Sequence, residues 1–205
     1  GERAFWNEVS EEELAGERQE KFQERHVFSI LVPLYNTPLQ FLQEMIASVQ
    51  SQTYGGWQLC LADGSDEEHR EVGAYCEKAA AQDDRIVYRR LDHNGGISEN
   101  TNACMKLADG DYIAFFDHDD LLASNALYEA MRAIAGNPET ELIYTDEDKV
   151  DESGKKYSDP HFKPDFDPEM ICTNNYICHF LIVKKTLLDK VGGLRTAYNG
   201  AQDFD

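Results

Sequence analysis

The chain has 205 residues, enough for one domain with a substantial core. It carries 39 acidic side chains against 19 basic ones, a formal charge of −20, which argues against nucleic acid as a partner because phosphate binding needs a basic face. Its five cysteines, an odd number without a Cys-x-x-Cys pair, argue against a disulfide framework and for reduced thiols in a cytosolic protein.

Residues 1–27 are polar and rich in Glu, Arg and Gln. Ser10 and Glu13 have the spacing of a capping box, which predicts a peripheral helix that Phe5 and Trp6 would pin to the body. A partly frayed, solvated arm is the alternative. From Phe28 the pattern changes. Phe28-Ser29-Ile30-Leu31-Val32 reads as a buried strand stopped by Pro33. Thr37 and Pro38 are expected to open a helix, with Thr37 as N-cap and Gln40 closing a capping box. Leu39, Leu42, Met45, Ile46 and Val49 would share its inner face.

Trp57 to Ala62 is a second strand, ending at Asp63-Gly64-Ser65. Ser65 with Glu68 is placed to cap a second helix reaching about Ala81. Ile86 to Leu91 is a third strand. Ser98 to Ala108 reads as a helix, with Gly110 as its stop. Tyr112 to Phe116 is an apolar, aromatic strand, followed by a helix from Ser124 to Ala135 and a strand at Leu142–Thr145. Residues 146–175 are acidic, aperiodic and contain proline, as a long functional loop would. Cys178 to Val183 reads as one more strand and Lys185 to Val191 as a short helix before Gly192-Gly193.

Strands and helices thus alternate with short connections. That order predicts an α/β fold with a mostly parallel central sheet and helices on both faces. No apolar run approaches the roughly 20 residues that span a bilayer. The N-terminus is charged and lacks the apolar core of a signal peptide, so a cytoplasmic location is expected.

The strand at 112–116 ends abruptly in Asp117-His118-Asp119-Asp120. Three crowded carboxylates repel one another, and a divalent cation relieves the repulsion; oxygen ligands suit Mg²⁺ or Mn²⁺. The structural alternative is an acidic turn in which Asp120 or Ser124 caps the next helix. A parallel sheet gathers three strand-end loops at its carboxyl edge: Pro33-Leu34-Tyr35-Asn36, Asp63-Gly64-Ser65-Asp66 and Asp117 to Asp120. Asp63 is suited to accept from the N–H of a base, and Gly64 to let backbone approach a flat ligand, although Asp-Gly-Ser also suits an ordinary turn. Asn94-Gly95-Gly96-Ile97-Ser98 precedes a helix start, either as a receptor for phosphate or sugar oxygens or as a loop that needs positive φ. Cys172, Cys178 and His179 lack the spacing of a zinc site and read as buried thiols beside a histidine. His161 and Lys163 read as members of a solvated loop, although they are also placed to reach a diphosphate.

Taken in order, these segments resemble the nucleotide-sugar glycosyltransferases of family 2, which have the GT-A (Rossmann-like) fold. The resemblance is carried by Ser29 through Asn36, by Ala62-Asp63-Gly64-Ser65, and by Asn94 through Ser98 with Asn100 and Asn102. It continues through Gly110 to Asp120, then Gly192-Gly193-Leu194-Arg195 and Gln202-Asp203-Phe204-Asp205. Tyr144 to Lys149 with Phe162 to Asp165 looks like the branch of bacterial rhamnosyl, O-antigen and cell-wall polysaccharide transferases. The resemblance implies a GT-A domain over 28–205, behind an N-terminal extension of residues 1–27. It implies that Pro33, Tyr35, Asp63, Asn94, Gly96, Asn100 and Asp117 hold the nucleotide sugar, a UDP- or dTDP-sugar. Asp119, with Asp117, would bind Mg²⁺ or Mn²⁺, and Asp203 would be the general base of an inverting transfer. The acceptor would be a carbohydrate or lipid-linked glycan. The location would be the cytoplasm, at the inner face of the membrane, with peripheral association through segments missing here.

Two departures stand out. Ala62 occupies a place where many members have a second Asp. The chain also ends at Asp205, where members continue with further helices and often a His that completes the metal shell, so a domain cut short at its C-terminus is expected. Two rival functions remain. Phe116-Asp117-His118-Asp119 superficially matches the strand-end motif of haloacid-dehalogenase-type phosphatases, but it follows three earlier strands, and Leu121 stands where that motif has Thr or Val. A non-catalytic sugar-nucleotide-binding fragment is the other. A Rossmann dehydrogenase is excluded, because no Gly-x-Gly-x-x-Gly follows the first strand.

Overall fold

The computed structural model describes residues 10–145 and 180–190. Within them a six-stranded sheet has the order β3-β2-β1-β4-β6-β5. The strands are β1 (Phe28–Leu34), β2 (Trp57–Asp63), β3 (Ile86–Arg90), β4 (Tyr112–Phe116), β5 (Leu142–Thr145) and β6 (Phe180–Lys184). β1, β2, β3 and β4 are mutually parallel, as the alternation of strand and helix predicts. β6, which follows the break in the alternation, runs antiparallel between β4 and β5, so the sheet is mostly parallel, as expected.

Alternation along β1 explains the two faces of the sheet. Phe28, Ile30, Val32 and Leu34 point into the larger core with Leu42, Met45, Ile46 and Val49 of α2 (Leu39–Gln50). Val72 and Cys76 of α3 (Arg70–Gln82) and Leu127, Met131 and Ile134 of α5 (Ala126–Gly136) complete that layer. Leu31 points the other way, to Cys104 of α4 (Gly96–Met105) and Leu187 and Leu188 of α6 (Lys185–Lys190). Burial of each large apolar side chain contributes about 1.5–3 kcal/mol, so both layers are firmly held. None of the described helices is long and apolar enough to cross a membrane.

The N-terminal helix is present and docked. α1 (Glu11–Gln19) begins with the reciprocal Ser10–Glu13 capping box. Leu14 is buried, and Glu17 accepts from Thr53 Oγ1 at 2.9 Å. Phe22 packs edge-on against Tyr54, and His26 meets Asp111. Phe5 and Trp6 lie outside the described residues.

Several local expectations are corrected. β1 does not stop at Pro33 but runs through it to Leu34. Leu34 turns its carbonyl toward β2, so Pro33 presents its nitrogen toward β4, where pairing has already ended at Leu31. Thr37 and Ser65 do not cap their helices, because both hydroxyls are engaged across loops instead. The segment after Ser65 first makes a 3₁₀ turn (Glu67–His69), and only then α3. Neither Asp120 nor Ser124 caps α5, whose N-cap position is Asn125. Gly110 does not stop α4, which ends at Met105. It stands instead where a Cβ would lie 2.5 Å from the Val27 carbonyl oxygen and 2.9 Å from the Ser29 nitrogen, so the chain entering β4 can pass β1 only as glycine.

Candidate active site

Strand order reverses at β1. β2 and β3 lie on one side of it, and β4 on the other. In open α/β sheets such a reversal opens a crevice at the carboxyl ends of the strands, and ligands bind there. Three of the predicted loops leave the sheet at this edge. The end of β2 and the end of β4 flank β1, so Asp63 and Asp117 stand about two strand spacings apart, on the order of 10 Å.

Asp117, Asp119 and Asp120 form one cluster. Each offers a carboxylate oxygen, and these oxygens lie within 4.8 Å of one another. Asp117 and Asp119 are exposed and Asp120 is half-buried. The turn is closed by Asp120 N–H donating to the Asp117 carbonyl at 3.3 Å. This donor set is hard, anionic and open on one side, which fits Mg²⁺ or Mn²⁺.

Asp63 is fully buried. Its Oδ1 accepts from the Ser65 N–H at 2.9 Å, and its Oδ2 accepts from Tyr88 at 2.7 Å and from Arg90 at 3.3 Å. Burial, then the bond to Asp63, raises the Tyr88 phenol above its usual range, so it stays a donor. Tyr88 and Arg90 are partners of the candidate site residue Asp63 that the motif reading missed. A signal was present: Arg90 ends β3 and Tyr88 stands two residues before it, therefore on the same face, and register sets them opposite Asp63 and Leu61.

The loop after β1 is held from both sides. Asn36 takes φ +47°, a left-handed conformation that Asn tolerates. Its side chain makes two bonds to Asp66: Asn36 Nδ2 donates to Asp66 Oδ2 at 2.8 Å, and the Asp66 backbone N–H donates to Asn36 Oδ1 at 2.9 Å. Tyr35 is exposed and adds its hydroxyl to Asp66 at 3.1 Å. The Asn36 bond, then that of Tyr35, holds the Asp66 carboxyl below its usual range. On the other side Thr37 Oγ1 meets His118 Nδ1 at 2.5 Å.

The Asn94 segment also comes to this edge. Asn100 is buried and donates to Asn94 Oδ1 at 2.7 Å, while its own oxygen accepts from Gly95 N–H at 3.2 Å. Gly96 has φ +82°, the positive value expected for this loop, and starts α4. A Cβ on Gly64 would lie 3.1 Å from Asn94 Cα, a tight contact, so the two loops meet closely at this glycine. Pro33, Tyr35, Asp63, Asn94, Asp117 and Asp119 thus belong to the carboxyl edge of the sheet or to the loops that leave it, while Gly96 and Asn100 lie in the first turns of α4. Asp203, His161, Lys163, Cys172, Cys178, His179 and Gly192-Gly193 lie outside the described residues.

The chain matches the model of glycosyl transferase family 2 over residues 29–192. It belongs to that family. Two relatives match nearly its whole length. The uncharacterised protein y4gI of Sinorhizobium fredii is 40% identical over 195 residues, 94% of this chain and 21% of that protein. The O-antigen biosynthesis protein RfbC of Myxococcus xanthus is 35% identical over 192 residues, 93% of this chain and 15% of that protein. The chain therefore spans about a fifth or less of these relatives. Among solved structures, the mannosyltransferase PcManGT of Pyrobaculum calidifontis, in complex with GDP-Man and Mn²⁺, superposes with a TM-score of 0.60. That likeness covers 88% of this chain and 52% of the other at 15% identity, and it establishes the shared GT-A fold. A glycosyltransferase family is incompatible with the phosphatase alternative.

Proposed function

We propose that this domain is the donor-binding and catalytic part of an inverting, metal-dependent glycosyltransferase. It moves a sugar from a nucleoside-diphosphate sugar to a hydroxyl of a growing cell-surface polysaccharide. The observation that carries this reading is the carboxylate cluster Asp117, Asp119 and Asp120 beside the switch point, two strands from the buried Asp63.

The two ends of the site suit the two ends of a nucleoside diphosphate. Asp63, steadied by Tyr88, Arg90 and Ser65, faces the base end, with Pro33 and Tyr35 along the β1 loop. Asn94, Gly96 and Asn100 stand at the start of α4, whose N-terminus carries the positive end of the helix dipole and favours anionic oxygens. Asp119 and Asp117 would hold the cation, with Asp120 alongside. When bound, Mg²⁺ or Mn²⁺ neutralises the charge that develops on the departing diphosphate. Asp203, by its motif, takes the proton from the acceptor hydroxyl as that oxygen attacks the anomeric carbon. A single base opposite the leaving group gives inversion.

RfbC bears an O-antigen name, which favours a polysaccharide acceptor. The donor assigned is a UDP- or dTDP-sugar, and the location is the cytoplasm at the inner face of the membrane. The test is a thermal-shift screen of UDP-, dTDP- and GDP-sugars with and without Mn²⁺, followed by transfer assays on the hits. Stabilisation by one nucleotide class, dependent on Mn²⁺, is the expected result. Binding without any donor turnover would instead leave a non-catalytic sugar-nucleotide module.

A further inference from the structure

We propose that Thr37 is a positioning residue for the metal: through His118 it sets the conformation of the acidic loop and thereby the affinity of the site for a divalent cation. This role rests on the metal reading of the same loop. Thr37 is almost fully buried, and its Oγ1 lies 2.5 Å from His118 Nδ1. His118 sits between Asp117 and Asp119 in the chain. Both acids are exposed, whereas His118 is half-buried.

The bond spans the crevice. Thr37 follows β1 and His118 follows β4, the two strands between which the sheet order reverses. Pairing between β1 and β4 stops at Leu31 and Phe115, so the strands themselves do not tie these loops together. Three neighbouring carboxylates push one another apart. A turn carrying them is helped by an anchor that keeps their oxygens within 4.8 Å, and His118 is a side chain of that turn that reaches the loop after β1. Thr37 is free for this task because α2 starts at Leu39 without a side-chain cap. The neighbouring Asn36 is locked to Asp66 on the opposite side, which gives Thr37 a fixed backbone to hold from.

The experiment follows Mn²⁺ binding through the EPR signal of free Mn²⁺, in the presence of UDP, for wild type, Thr37→Val, Thr37→Ser and Asp119→Asn. Thr37→Val keeps shape and removes the hydroxyl. It should weaken Mn²⁺ on the order of 10-fold, the lower end of what loss of an outer-shell partner costs, with metal-free UDP affinity changed by less than about twofold. Thr37→Ser restores the hydroxyl and should recover Mn²⁺ binding. If Thr37→Ser is as weak as Thr37→Val, the methyl packing matters rather than the bond, and the proposal fails. If Asp119→Asn abolishes Mn²⁺ binding while Thr37→Val binds it normally, the positioning role falls and the metal site stands. If wild type binds no Mn²⁺, or Asp119→Asn binds it unchanged, the metal reading falls first and this role with it. Should Thr37→Val fail to fold, His118→Asn and His118→Phe decide. Asn offers a polar atom near the Nδ1 position and should retain binding, whereas Phe keeps the ring volume and should lose it; normal Mn²⁺ affinity in His118→Phe overturns the proposal.

Discussion

Tyr88 donates its phenolic hydroxyl to Asp63 at 2.7 Å, joining the middle of β3 to the last residue of β2. Asp63 has no exposed surface and already accepts from Tyr88, Arg90 and Ser65. In the proposed donor site, a base that reached Asp63 would therefore meet a carboxylate fixed in place before binding. Preorganisation of that kind lowers the ordering cost of recognition.

Tyr88→Phe should lower stability by about 1–3 kcal/mol, because it removes a donor from a buried acceptor without opening a large cavity. Urea unfolding should show a lower midpoint at an unchanged slope. Nucleotide affinity should fall as well, since Asp63 loses one of its restraints. An unchanged midpoint would mean that the phenol does not hold Asp63.

Two glycines make opposite predictions. Gly110→Ala drives a methyl against the backbone of Val27 and Ser29, which cannot rotate away, and should destabilise by roughly 3 kcal/mol. Gly16 lies inside α1 with nothing near its virtual Cβ, so Gly16→Ala should stabilise by about 0.5–1 kcal/mol. Thermal unfolding of the two variants checks both signs; equal effects would contradict the close approach at Gly110.

Much of this architecture was legible because apolar runs of strand length and amphipathic helices alternate along the chain. The acidic cluster was legible for a similar reason, as three Asp follow an apolar strand directly. Tertiary competition hid the rest. Thr37 and Ser65 have the spacing of N-caps, yet His118 and Asn36 claim their hydroxyls, and no local pattern encodes those partners. The direction of β6 depends on the path of the segment before it, which sequence periodicity does not report. Tyr88 and Arg90 become partners of Asp63 only through the register of β3 on β2. Gly110 reads as a helix stop because glycine serves both helix ends and close backbone contacts.

The buried thiols give an alkaline limb to stability. Burial pushes Cys60, Cys76 and Cys104 from an ordinary value of 9.0 up to about 12. Burial likewise raises Tyr112 from 10.0 to about 12. A folded value above the unfolded one contributes stability that is complete below the unfolded pKa and is lost as pH rises toward the folded pKa. Unfolding midpoints should therefore hold up to about pH 9 and fall between there and about pH 12. Replacing the three cysteines with Ala should flatten the first part of that fall. The same burial predicts that a thiol reagent labels Cys60, Cys76 and Cys104 only as fast as the protein opens. Immediate labelling of these positions in native protein, located by peptide mapping, would contradict it.

Donor binding and turnover are expected to separate between Asp119 and Asp203. Asp119 belongs to the cluster that fits a cation, and it is exposed at the crevice. Asp119→Asn should remove most Mn²⁺-dependent nucleotide binding while leaving the fold intact, and relief of like-charge repulsion should leave the metal-free protein at least as stable. Asp203 is assigned a different task, taking a proton from the acceptor. A general base contributes about 10²–10⁴-fold to rate and little to ground-state affinity. Asp203→Asn should therefore cut transfer by about that factor with the donor Kd nearly unchanged. Calorimetry of the donor and initial rates of transfer, measured on both variants, distinguish the roles. Near-normal transfer by Asp203→Asn would place the base elsewhere in the protein. A matching loss of donor affinity in Asp203→Asn would instead make Asp203 part of the donor site, with its effect on rate following from binding.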